Sequence, residues 1–391
     1  MSIPVFRPTL RRRDFNSVLA CLVSDRLGAG PLNHELASEL SRFLGAAGGA
    51  CLATYGQAVD CALQTMGLAA GEAVVLSALA PAEYLRALAG RGLRPLVADV
   101  DPDTGLILRS EVERHLAAGP KALVLHYPLG FVPETEELFG LGLPVLEDIS
   151  QALGASLEVG GDAEDRPGGS SRRCGGLGAV SVLSLAPEGI ITTGAGAAVF
   201  ARERRELKGL REAVESRPRD ALLSDLNAAL GLAQAREIEG FLKSRRSIAE
   251  VFSQAVARSR HGRLGPLQEG TGVPYAFPVM VKDGVKQVRQ FAMKRNIETC
   301  SAFADAVAAI GQGPLEPLPD LEADPDPSGQ PERQPEAAPM ALAGVPRAPA
   351  AAPRALAGAR DLLARCVLFP LYPTLLKRDL QLIVKVLGAL P

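Results

Sequence analysis

PVLEDISQALGAS (residues 144–156) and GGLGAVSVLSLAPEGIITTGAGAAV (residues 175–199) decide how this chain folds. Each contains an apolar run of strand length that stops at polar residues, the first at Glu147-Asp148 and the second at Ser184. Short apolar runs bounded by turn signals fit strands buried on both faces. In open α/β sheets, ligands sit beyond the carboxyl ends of such strands. Asp148 and Ser184 therefore stand where a pocket is expected, and Gln151 follows Asp148 by three positions. A Thr192-Thr193-Gly194-Ala195-Gly196 turn closes the segment. Between Ser184 and that turn run Leu185-Ala186-Pro187-Glu188-Gly189-Ile190-Ile191, without a lysine.

The same alternation extends upstream. Strand-like runs fall at 73–76 (AVVL), 95–100 (PLVADV) and 122–126 (ALVLH), with 144–147 and 179–185 completing the set. Helical spacing marks 31–46, 57–67, 109–118 and 134–140. Apolar strands alternating with helices imply a mostly parallel sheet covered on both faces. Downstream, 225–257 reads as one long helix with Leu226, Leu230, Ile238, Phe241 and Ile248 among its apolar positions. A strand-like run at 275–281 and helices at 285–294 and 376–390 complete the chain. The expected architecture is α/β: a three-layer αβα large domain over 1–250 with an N-terminal arm, and a smaller C-terminal α/β domain over 251–391. Eleven prolines sit among Ala, Glu and Asp in 312–354, which is expected to be a disordered insert because it buries too little apolar surface to offset ordering entropy. The polar stretch 160–173 is expected to be a surface loop.

Composition narrows the function classes. A chain of 391 residues with 47% hydrophobic content builds a substantial core. A formal net charge of −2 supplies no basic field for nucleic acid. The six cysteines show no CxxC spacing and read as free thiols of a reducing compartment. No segment approaches the ~20 apolar residues that span a bilayer. A cytoplasmic location without membrane contact is therefore expected. The four histidines, His34, His115, His126 and His261, show no metal-ligand spacing. His126 ends a strand, where it could line the pocket; the plainer reading is a satisfied core residue. Eight lysines face 34 arginines, and none lies between Lys121 and Lys208. Only an amine of lysine type forms an imine; arginine does not.

These motifs resemble the DegT/StrS family of sugar aminotransferases, which use pyridoxal phosphate (PLP) on the fold-type-I transferase architecture. Beyond residues 144–199, the resemblance runs through Asp99-Val100-Asp101 and through Ser224-Asp225-Leu226 with Arg245-Arg246-Ser247. It continues to Leu371-Tyr372-Pro373 near the C-terminus. By that resemblance Asp148 pairs with the pyridine nitrogen, Gln151 bonds the hydroxyl side of the ring and Ser184 helps hold the phosphate. The plainer alternative is that all three shape loops at strand ends. Thr54-Tyr55-Gly56 falls where the family cradles the phosphate before a helix, so Tyr55 and Gly56 join the cofactor-binding candidates.

Several positions depart from the family. Gly189 stands at the Schiff-base lysine, so no catalytic residue is assigned. The family's stacking aromatic falls near Leu79-Ala80-Pro81, its histidine at Tyr127, and the asparagine and arginine it donates across a dimer at about Asp220 and Leu222. The resemblance thus implies a degenerate member that binds PLP noncovalently and weakly, or not at all. The role expected is binding, scaffolding or regulation in sugar or cell-surface polysaccharide metabolism. Two alternatives stand beside it: an aminotransferase or dehydratase variant using noncovalent PLP, and a nucleotide-sugar binder without PLP. A homodimer is expected, or a heterodimer with a lysine-bearing paralogue. A lysine restored at Gly189 is expected to form an imine weakly.

Overall fold

A computed structural model describes residues 2–132, 136–159, 170–265, 272–310 and 356–391. Among the described residues of the first part of the chain there are nine strands: β1 (Gly48–Leu52), β2 (Ala73–Ser77), β3 (Arg94–Ala98), β4 (Ala122–His126), β5 (Val145–Asp148), β6 (Ser156–Val159), β7 (Ser170–Arg173), β8 (Val180–Ser184) and β9 (Ala197–Ala201). Seven form one sheet in the order β1-β9-β8-β5-β4-β2-β3. The pairs β2–β3, β2–β4, β4–β5 and β5–β8 are parallel. β9 lies antiparallel to both β8 and β1.

Side chains of successive strand residues point to opposite faces, and the core divides accordingly. Val75, Leu123, Leu125 and Phe200 pack on one face with α2 (Pro31–Leu44) and the helices near 225–242. Val74, Leu76, Val124 and Val199 pack on the other with α3 (Tyr55–Thr65), α4 (Glu83–Gly90) and a helix at Arg204–Glu215. The first helix is α1 (Arg12–Val23), and α5 (Arg109–Leu116) and α6 (Glu136–Phe139) place Val112 and Leu138 in the first of these two cores.

A second, antiparallel sheet is built from Gly262–Arg263, Phe277–Met280, Cys366–Phe369 and Cys300–Ser301, in that spatial order. Ile3 bridges Ile297 and packs into the core of this second body, so the N-terminal arm belongs with it. The expected boundary at 250 falls inside the helix Ile238–Val256, which packs Ile248 and Phe252 into that same core.

The structure corrects two expectations. The long helix at 225–257 is two helices, Asp225–Ala235 and Ile238–Val256. No Pro or Gly marks the break; tertiary bonds make it. Gln234 accepts from the Thr192 N–H and donates to the Thr9 carbonyl, while Glu237 holds Arg11 at 2.5 Å and Arg13 at 2.7 Å. The Arg11-Arg12-Arg13 run is thus partly an anchor for the arm. Residues 170–173 are not loop but strand, paired antiparallel with Ser156–Val159. The rest of the polar stretch, 160–169, and the Pro-rich insert 312–354 lie outside the described residues.

Two motif residues act as structural clamps. The Asp99 carboxylate accepts from the Gly358 and Ala359 N–H groups and caps the helix Ala357–Arg365. Arg245 is buried, and its Nη1 donates to the carbonyls of Pro274, Tyr275 and Leu371. Burial pushes its guanidinium down to about 10, so it stays charged at neutral pH.

Candidate active site

β4, β5 and β8 end side by side, and their carboxyl ends bring the candidate residues together. Asp148 closes β5 and is fully buried. Its Oδ1 accepts from the Ser150 N–H at 3.0 Å, and its Oδ2 accepts the Tyr55 hydroxyl at 2.5 Å. His126, its register partner on β4, places Nδ1 3.7 Å from the same Oδ2. That is too long for a hydrogen bond, and His126 Nδ1 has no hydrogen-bond partner among the described residues. Burial alone would raise the Asp148 pKa, but His126, Ser150 and Tyr55 hold it below the ordinary carboxylate value. Asp148 is therefore an anion at neutral pH, while burial first and Asp148 second push the Tyr55 phenol well up and keep it neutral.

Tyr84, unmarked by the sequence reading, completes the cluster. Its ring is fully buried and meets the Tyr55 ring edge-on, with centroids 6.4 Å apart. Its hydroxyl has no hydrogen-bond partner among the described residues. The signal was an aromatic in the first turn of α4, just past the carboxyl end of β2 and so at the same sheet edge as Asp148.

The other candidates serve loops. Gln151 Oε1 accepts the Leu129 N–H at 2.6 Å, supporting a turn in which Leu129 adopts φ 55°. Ser184 is half-buried; its N–H donates to Ser150 Oγ at 2.9 Å, and its own Oγ accepts from the Ala186 N–H. Tyr127 points away from Asp148 and donates to Glu147 at 2.6 Å. Alternation along β4 explains why His126, and not Tyr127, faces the cluster. Asp220 is exposed, and Leu222 bridges Leu52 at the sheet edge.

The first turn of α3 is the site's natural anion cradle, because helix N-termini present free N–H groups. Thr54 Oγ1 already accepts one of them, from Gln57. Gly56 leaves space for a carboxylate: Glu83 Oε1 lies 2.5 Å from where a Cβ on residue 56 would stand. Glu83 is also paired with Arg86.

Gly189 lies in the turn after Ser184. A Cβ there would stand 2.4 Å from the Ile191 carbonyl oxygen and 3.1 Å from that of Ala186. No side chain fits without moving backbone. The resemblance implies PLP, and the described residues do not fit it. No lysine is present between Ser184 and Thr192, the Asp148 oxygen has a phenol partner, and a carboxylate stands beside the helix N-terminus. Among the described residues no cluster of His, Cys, Asp and Glu has the makings of a metal site. No helix among them is long and apolar enough to cross a membrane.

Comparison with known proteins agrees with this architecture. The aminotransferase TlmJ from Streptoalloteichus hindustanus superposes with a TM-score of 0.78 at 22% identity, over 100% of this chain and 98% of that one. PseC from Helicobacter pylori, an aminotransferase of pseudoaminic acid biosynthesis, gives 0.78 at 17% identity over 99% and 98%. Spr1654 from Streptococcus pneumoniae, solved in PLP and PMP forms, gives 0.78 at 16% over 100% and 98%. At such identities the likeness establishes the fold, which is that of fold-type-I PLP-dependent transferases. The family model for DegT/DnrJ/EryC1/StrS aminotransferases matches residues 8–311. That match covers most of the chain, from the arm through the whole central sheet, and by it this protein belongs to the DegT/DnrJ/EryC1/StrS aminotransferase family.

Proposed function

We propose that this chain is a family member that does not transaminate and serves instead as a binding, scaffolding or regulatory protein in sugar or cell-surface polysaccharide metabolism. The observation that carries this reading is at Gly189, where the turn holds no amine and has no room for one. Family chemistry needs a lysine twice, to hold the cofactor as an imine and to move a proton at the substrate carbon. Glu188, next to the vacant position, forms no imine. Loss of a general base alone typically costs ~10²–10⁴-fold in rate.

The test is incubation of the full chain with PLP and amino donors, followed by borohydride reduction. The expected result is no covalent pyridoxyl adduct on the protein and no keto acid above the protein-free control. A reduced adduct together with turnover would sink the reading.

The same proposal includes a homodimer. α1 shows Phe15, Leu19 and Val23 to solvent at 56%, 57% and 83% exposure, an apolar stripe at helical spacing. Light scattering should give twice the chain mass for the wild type and a monomer for Phe15→Glu/Leu19→Glu. A wild-type monomer at micromolar concentration would remove the dimer from the account.

A further inference from the structure

We infer that Tyr55 and Glu83 fill the cofactor site with the chain's own side chains, the phenol standing at the ring position and the carboxylate at the phosphate position. This rests on the reading that no Schiff base forms, and it adds a separate cause for exclusion.

The ring position is set by Asp148. A buried carboxylate at the end of β5 is the partner a protonated pyridine nitrogen needs. Here its Oδ2 takes the Tyr55 hydroxyl at 2.5 Å, and Ser150 holds Oδ1. A phenol is a six-membered ring that carries an O–H donor, so it takes the carboxylate's acceptor that a pyridinium N–H would use, without supplying the positive charge. Bonds to a charged acceptor are the strong ones, and the buried Tyr84 ring set edge-on fixes the orientation of Tyr55. The Tyr55 residue as a whole is partly buried.

The phosphate position is set by α3. Its N-terminus favours a negative charge, and the charge supplied is Glu83, close against Gly56. A Cβ at 56 would stand 2.5 Å from Glu83 Oε1, so the carboxylate would have to swing aside. A phosphate entering the same turn would meet the Glu83 carboxylate beside Gly56, a like charge that opposes it. Both substitutions come from neighbouring elements at one sheet edge, with Tyr55 and Gly56 on α3 and Glu83 and Tyr84 on α4.

Pyridoxamine 5′-phosphate is the appropriate probe, because it has no aldehyde and needs no lysine. Wild-type protein should show no saturable binding at millimolar probe by fluorescence titration. Tyr55→Ser/Glu83→Gln should bind it at least roughly tenfold to a hundredfold more tightly than wild type, the factor expected when a hydrogen bond to a charged group no longer has to be displaced. Adding Asp148→Asn should abolish the gain. A double variant that is folded by near-ultraviolet circular dichroism yet takes no probe overturns the proposal. Should that variant not fold, Glu83→Gln alone decides: its melting temperature should rise in inorganic phosphate relative to chloride at matched ionic strength, where the wild type does not respond. No such rise overturns the proposal. Tight probe binding by the wild type also overturns it, and leaves the loss of transamination standing unless borohydride traps an adduct.

Discussion

Glu147→Ala should unfold this protein or cost it more than about 4 kcal/mol, the range reserved for breaking a buried polar network. Glu147 is fully buried beside Asp148, on the opposite face of β5. Its carboxylate accepts four bonds: from the Tyr127 hydroxyl at 2.6 Å, and from the N–H groups of Gly175 at 2.8 Å, Leu177 at 2.9 Å and Gly178 at 2.5 Å. Alanine would leave three backbone donors and a phenol buried without acceptors, each orphan costing about 1–3 kcal/mol. These donors belong to the loop that delivers β8, so Glu147 also sets where Ser184 ends up. Urea denaturation of Glu147→Ala against wild type checks this. A loss below about 1 kcal/mol would mean that the loop re-forms around water and that the carboxylate is dispensable.

Gly189→Lys should produce no imine and should destabilise the protein by about 3 kcal/mol, the upper part of the range for overpacking. The resemblance alone implied a weak imine at this position; the structure withdraws it. The obstacle is the Cβ, 2.4 Å from the Ile191 carbonyl. That carbonyl cannot easily yield, because the turn is held by the Thr193 N–H and the Thr192 hydroxyl on Leu185 O and by Gln234 on the Thr192 N–H. Ile190 and Ile191, which follow Gly189, are both buried. Gly189→Ala should therefore cost nearly as much as Gly189→Lys. Alanine tolerated within about 0.5 kcal/mol, the scatter of neutral surface changes, would show that the turn relaxes and would reopen the question of a lysine there.

Legibility in the sequence followed packing. β2, β4, β5 and β8 could be read because strands buried on both faces are continuous apolar runs. β1 (GGACL) and β9 (AAVFA) could not, since their small residues answer to neighbours and not to a pattern. A Cβ on Gly49 would meet the Phe200 ring at 2.5 Å. The break after Ala235 was hidden for the same reason, being made by Thr192, Thr9, Arg11 and Arg13 from distant parts of the chain.

At the site, Asp148 was locatable as the residue ending an apolar strand. What surrounds it was not. Tyr55 looked like part of an eroded phosphate motif, and Glu83 carried no signal. Only the three-dimensional approach of α3, α4 and β5 shows one side chain taking the carboxylate and the other lying beside the helix N-terminus. Missing residues were visible in the sequence, but their replacements were not.

The most direct measurement is a crystal structure of the wild-type protein grown with millimolar PLP. The expected result is the Tyr55 hydroxyl on Asp148, Glu83 against Gly56 and no cofactor between them. Density for PLP with its ring nitrogen on Asp148 and Tyr55 swung away would contradict it.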